Sequence, residues 1–209
     1  MTLDFENFEM PAMISKNMAV AQKNTHCVLD LETFSNTPNS VIVSIGAVCF
    51  SNDTPDHEMG AFYIRVDPQD CVSYGLEINA ATVQWWLKQN DKARLEVAKE
   101  DGYPLIDAIE EFSDWYAANG CTSLWGNGAG FDNVIIDNAV KKLNDQGHNV
   151  KPSWSYRHHQ CFRTMRKQFP GHQDKESRGL IAHNAMSDAL VQALELQKIL
   201  RSLKCHQGN

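Results

Sequence analysis

Between residues 25 and 66 the chain runs apolar, polar, apolar, polar, apolar, with breaks rich in Ser, Asn, Pro and Asp at 35–40 and 51–56. Short runs rich in Val, Ile and Cys, bounded in this way, predict strands at about 25–31, 41–50 and 60–66, joined as an antiparallel meander. The period then changes. Asn79 can cap a helix reaching about Gln89, and Leu105, Ile109, Phe112 and Tyr116 recur at helical spacing. A short strand at 122–125 leads through Gly126-Asn127-Gly128-Ala129-Gly130 into a helix carrying Val134, Ile135 and Ala139. Ala189, Ala193, Leu196, Leu200 and Leu203 mark a long final helix. Meandering strands followed by alternating helices and strands predict an α/β fold, a mixed sheet with helices on its faces. Residues 1–24 are polar and Met-rich and carry no period. They read as an N-terminal extension before one domain spanning 25–209.

Composition changes this picture little. Of 209 residues, 43% are hydrophobic and 22% charged, the balance of an ordinary globular domain. No apolar stretch reaches membrane-spanning length, and the N-terminus lacks the order of a signal peptide. The six cysteines form no CxxC pair and no zinc spacing. Several fall inside apolar runs, as buried free thiols do, so a reduced, cytoplasmic protein is expected. Charge matters more by place than by sum. Seven basic residues against Asp174 and Glu176 give 151–180 a net +5, leaving the rest at −12 within a total of −7. That segment is either a solvated helix and loop or a phosphate-binding face.

The candidate chemistry begins at Asp30 and Glu32. Side chains alternate along a strand, so these two carboxylates project the same way from a strand end, and carboxylate oxygens are preferred ligands of Mg²⁺ and Mn²⁺. Three other Asp-x-Glu triplets (Asp4-Glu6, Asp56-Glu58, Asp174-Glu176) lie in polar stretches, so position singles out the first. Asp132 follows in the first turn of a helix, where an acidic residue also simply complements the helix dipole. The glycines before it do not make a dinucleotide loop, because Phe131 stands where GxGxxG needs glycine. His183 and Asp188 open the last helix. Five residues apart, they can face one site if His183 lies on the preceding loop and Asp188 in the first turns, the arrangement of a general base beside a metal ligand.

In this order the three pieces resemble the three motifs of the DEDDh 3′–5′ exonucleases, built on the ribonuclease H-like fold: Asp-x-Glu on a first strand, Asn-x-x-x-Phe-Asp at a strand-to-helix turn, His-x-x-x-x-Asp at a late helix. The resemblance covers about 25–203. Thr82-Val83-Gln84-Trp85-Trp86, and Arg163-Thr164 ahead of a helix, are similar to the phage exonuclease A branch and its mycobacterial exoribonuclease-like relatives. The family aspartate that often precedes Arg-Thr is replaced here by Cys161. The resemblance implies two Mg²⁺ or Mn²⁺ ions, with Asp30, Glu32 and Asp188 on one, Asp30 and Asp132 at the other, and His183 as base. It further implies substrate contacts from Thr33, Phe34, Trp85, Trp86, Asn127, Phe131 and Arg163. Trp85 and Trp86 are about 100° apart on a helix, so one can enter the core while the other reaches the cleft to stack on a base; both can equally be core residues.

The expected reaction is release of nucleoside 5′-monophosphates from the 3′ ends of single-stranded nucleic acid, DNA before RNA, with no membrane partner. A homodimer is left open. The rivals are an exoribonuclease of the same fold, a binding module that has lost catalysis, and a subunit that binds a partner through residues 1–24 or an acidic face. All five motif residues are present, which counts against lost catalysis.

Overall fold

The computed structural model describes residues 11–19, 25–172 and 183–207. The meander forms as expected: β2 (Thr25–Thr33), β3 (Ile42–Phe50) and β4 (Gly60–Arg65) pair antiparallel. All nine residues of β3 are buried, as its mostly apolar run, interrupted by Ser44 and Gly46, demands of a strand covered on both faces. Two parallel strands extend the other edge, β5 (Cys121–Gly126) beside β2 and the short β6 (His159–Cys161) beside β5. The extension reading of 1–24 needs correction where that segment is described. Met13–Lys16 is β1, paired antiparallel with β4, so backbone hydrogen bonding draws it into the sheet although its side chains carry no apolar period. Residues 1–10 and 20–24 lie outside the described residues. The six strands run β1-β4-β3-β2-β5-β6, a mixed sheet of the ribonuclease H-like kind.

Helices cover both faces. The connection from β4 to β5 holds the short α1 (Pro68–Ser73), α2 (Ala80–Trp86) and α3 (Asp91–Val97), then α4 (Leu105–Ala118). Asn79 caps α2 as predicted, its side chain accepting from the Ala81 and Thr82 amides. Helix α5 (Asp132–Asp145) makes the crossover from β5 to β6. It shares with α4 the larger core, formed on one sheet face by Leu29, Ile45, Ile64, Ile109, Phe112 and Ile136. On the opposite face Val28, Val48 and Phe50 meet Ala189, Ala193 and Leu196 of α7 (Ala185–Gln207) and Phe162 of α6 (Phe162–Gln168). Arg163 and Thr164 therefore lie in the first turn of α6 rather than ahead of it. Pattern reading passed over α1 and α3 because six or seven residues hold too few apolar positions to set a period. Among the described residues no helix is long and apolar enough to cross a membrane.

One glycine decides how α7 meets the sheet. Gly46 lies opposite Asp30 in the β2/β3 register, and a Cβ there would sit 2.1 Å from the Ala185 carbonyl carbon. Only glycine lets the start of α7 press on β3 at this point. The sequence around His183 and Asp188 is thereby brought over the strand end carrying Asp30 and Glu32.

Candidate active site

Parallel strands β2 and β5 both end at the same edge, where open α/β sheets place their ligand crevices. Asp30 and Glu32 leave β2 on the face that α7 covers; a register shift between Glu32 and Thr33 ends the regular pairing there. Asp188 comes down from the first turn of α7. Ligand oxygens of Asp30, Glu32 and Asp188 all lie within 4.8 Å of one another. Asp132 reaches the group from the first turn of α5. It is buried, and its Oδ1 accepts the Leu31 amide at 3.2 Å, which ties α5 to β2 between the two motif carboxylates. The structure thus brings together the four carboxylates expected from the sequence, three as one tight cluster and Asp132 beside it.

Four carboxylates held this way resist ionisation. Asp30 is raised well above the ordinary carboxylate range by burial first, then by the charges of Asp132, Glu32 and Asp188. Burial and the charges of Asp188 and Asp132 push Glu32 up to about 8. Asp132 rises to about 7 through burial, opposed by the amides of Leu31, Asp132 and Asn127 and by the Arg163 charge. Burial raises Asp188 as well, against the opposing pull of His183. The donor set fits a hard divalent cation: three oxygen ligands already converge, and the shared repulsion is relieved by positive charge.

His183 stands on the loop before α7, as the spacing required, in a left-handed conformation with φ of 60°. Asn184 follows as the cap, its Oδ1 accepting the Ser187 amide at 3.1 Å, and this fixes where the helix begins. The two tryptophans divide as the 100° offset allows. Trp86 is buried and donates from Nε1 to the Thr33 carbonyl at 2.9 Å, whereas Trp85 is 43% exposed. Their rings stand edge-on to His183, with centroids 4.9 Å away for Trp85 and 6.3 Å for Trp86. Trp85 is therefore the tryptophan open to a ligand, and Trp86 fixes the wall behind it.

The remaining expected contacts scatter. Thr33 is buried, and its hydroxyl is taken up by the Ser35 carbonyl at 2.7 Å. Phe34 and Phe131 are half-buried against the larger core. Asn127 accepts through its carbonyl from Arg163 Nη2 at 2.5 Å, which sets Arg163 against the loop preceding Asp132. Sequence reading missed three contributors: Gly46, Asn184 and Gln192. Gln192 is buried and donates from Nε2 to Asp30 Oδ1 at 2.8 Å, holding one carboxylate oxygen in place. Its separation of four from Asp188 puts both on one helix face, a signal that was present in the sequence.

Comparison with known proteins identifies the family and the fold. Residues 25–200 match the family model described as the 3′–5′ exoribonuclease Rv2179c-like domain. No individually curated protein matches the chain in sequence. Among solved structures, E. coli exonuclease I in complex with a 5cy-dA13 oligonucleotide is similar in fold, with a TM-score of 0.51 at 14% identity, over 86% of this chain. The chain spans 41% of that protein.

Proposed function

The chain belongs to the Rv2179c-like 3′–5′ exoribonuclease domain family and is a 3′–5′ exonuclease, and on that premise we propose that it trims single-stranded RNA from the 3′ end with two divalent cations as cofactors. The observation that carries this reading is the convergence of Asp30, Glu32 and Asp188 within 4.8 Å, with His183 and Trp85 at its rim. Asp30, Glu32 and Asp188 would hold one Mg²⁺ or Mn²⁺, and Asp30 with Asp132 the other. Bound there, such ions neutralise the phosphate and supply an acidified water.

His183 takes the proton from the attacking water. The water oxygen bonds to phosphorus as the P–O3′ bond breaks and O3′ takes up a proton from solvent, giving a nucleoside 5′-monophosphate and a strand one residue shorter that ends in a 3′-hydroxyl. The left-handed loop position of His183 keeps it outside the regular hydrogen bonding of α7, with its ring against Trp85 at the edge of the cluster. The exposed face of Trp85 stacks on the terminal base, a contact indifferent to sequence. Gln192 holds Asp30 Oδ1 in place, and Asp30 would contribute to both ions.

RNA is preferred here over the DNA expected from sequence because the family match spans residues 25–200, whereas the exonuclease I likeness is one of fold. DNA is the second reading. We propose a cytoplasmic location, in a bacterial or phage-infected cell; the buried free thiols Cys27, Cys49, Cys71 and Cys121 suit a reducing compartment.

The test is a gel assay on matched RNA and DNA single strands, each labelled at either end, with Mg²⁺, with Mn²⁺ and with chelator. Metal-dependent laddering from the 3′ end, faster on RNA, is expected. Faster loss of DNA would reverse the polymer assignment. Binding without cleavage in either metal would leave a binding module.

A further inference from the structure

Helix α6 gathers three cations on one side. Arg163, Arg166 and Lys167 are spaced by three and four residues, so they share a helix face. With Asn127 and Pro170 they line a surface cavity of about 510 Å³. Like charges so spaced work against the helix that carries them, and the chain as a whole is acidic at −7. Such a local concentration of positive charge in a concave site focuses an anion.

The cavity adjoins the loop that leads into Asp132, through Asn127 and Arg163 of its lining. Arg163 lies along the loop that leads into Asp132, bonded to the Asn127 carbonyl, and Gly128 makes room for it. At φ of 113° a Cβ on residue 128 would stand 3.3 Å from the guanidinium carbon. Arg166 is braced from behind by the buried Glu195 of α7, with Nε 3.1 Å from Oε2 and Nη2 3.5 Å from Oε1. Neither contact uses Nη1. Among the described residues Glu195 is the carboxylate at ion-pair distance from these three cations.

Resting on the exonuclease reading, we infer that this cavity is a subsite for the backbone phosphates of the strand upstream of the linkage being cut. The side of the site supports that assignment. Trp85 packs on His183 beside Asp188, whereas Asn127 and Arg163 of the cavity lining adjoin Asp132, so the two features flank the cluster through different carboxylates. The phosphate at the acidic cluster depends on metal cations, whereas the next phosphates meet arginine and lysine. The subsite is indifferent to base and to sugar, since phosphate contacts position a strand without reading it.

The experiment compares kcat/KM for oligonucleotides of two, four, six and ten residues, using the intact protein, Lys167→Ala and Arg166→Gln. In the intact protein kcat/KM should climb with length and then level off. In each variant the ten-to-two ratio should fall several-fold, through KM rather than kcat. An equal loss at every length, or no loss, would overturn the subsite. Binding of the ten-residue strand to an Asp188→Asn background, followed by anisotropy against salt, tests the subsite without turnover. Lys167→Ala should flatten the logarithmic salt slope by about 0.7, the value for one phosphate contact on a single strand, and an unchanged slope would overturn it too. Failure of the intact protein to cut any strand would count against the exonuclease reading, and the binding arm would still decide the subsite.

Discussion

Two charged clusters among the described residues are built on opposite terms. At the end of β2 four carboxylates face one another, with the amide of Gln192 and backbone amides as their protein donors. Near the end of β4, Arg65 is buried and met by acidic partners. It donates to Glu96 at 2.9 Å and to Asp101 at 2.6 Å, while Tyr63 donates to Glu96 at 2.6 Å and Lys99 pairs with Glu96 at 3.0 Å. Burial alone would pull the Arg65 charge down, but Asp101 and Glu96 outweigh it and hold the guanidinium firmly protonated. A paired cluster anchors the segment containing α3 to the sheet and is structural. An unpaired one costs stability, and such a cost is retained at a site that receives a cation.

The contrast can be broken most severely at the ligands. Asp30→Asn and Asp188→Asn should each remove nearly all hydrolysis, a loss of three orders of magnitude or more on the order of magnitude expected for metal catalysis. Each should also melt no lower than the parent in chelator, because a like charge has been deleted. A variant that keeps its activity, or melts well below the parent, would return that carboxylate to a structural role. His183→Ala is expected to lower kcat by about 10²–10⁴, the range for general acid–base catalysis, while Mn²⁺ still raises the melting temperature. Loss of that metal-induced rise would make the histidine a ligand.

The paired cluster should respond in stability and not in chemistry. Arg65→Met leaves Glu96 buried without its arginine and should cost about 3–5 kcal/mol in urea unfolding, the usual penalty for breaking a buried ion pair. A change below about 1 kcal/mol, the value of a surface pair, would mean the network does not anchor α3. Between these extremes, Gln192→Leu should weaken divalent-ion binding by about 10–100-fold, as losses of partners behind a metal ligand do, with kcat falling alongside. Calorimetry with Mn²⁺ reads this directly, and unchanged affinity would show that Asp30 needs no help to hold its orientation.

The gentlest probe is pH. Glu32 at about 8 and Asp132 at about 7 hold protons in the folded state that the unfolded chain has already released. Their contribution is therefore most favourable to folding at acid pH and is lost as pH rises through 7 and 8. In chelator the melting temperature should fall across that window. Saturating Mg²⁺ should flatten the fall, since the cation replaces the protons. A melting temperature that rises from pH 6 to 8 in chelator would contradict the repulsion.

Much of the site was legible in the chain because its parts are local. Alternation along β2 puts Asp30 and Glu32 on one face, the cap at Asn79 starts α2, and a 100° step separates Trp85 from Trp86. Such features follow from backbone geometry within a few residues. What tertiary structure decided is distance across the chain. Only packing placed Gln192 on Asp30, 162 residues away, and only the close approach at Gly46 set α7 over β2. Strand β1 likewise owes its place to backbone pairing with β4, which no side-chain pattern records. The three cations of α6 shared a spacing in the sequence, yet only the fold gave them Asn127 and a common cavity. The sequence by itself determined which groups could do chemistry and which way each local element pointed; the fold determined which of them meet, because long-range contact depends on how whole elements bury their apolar faces against one another.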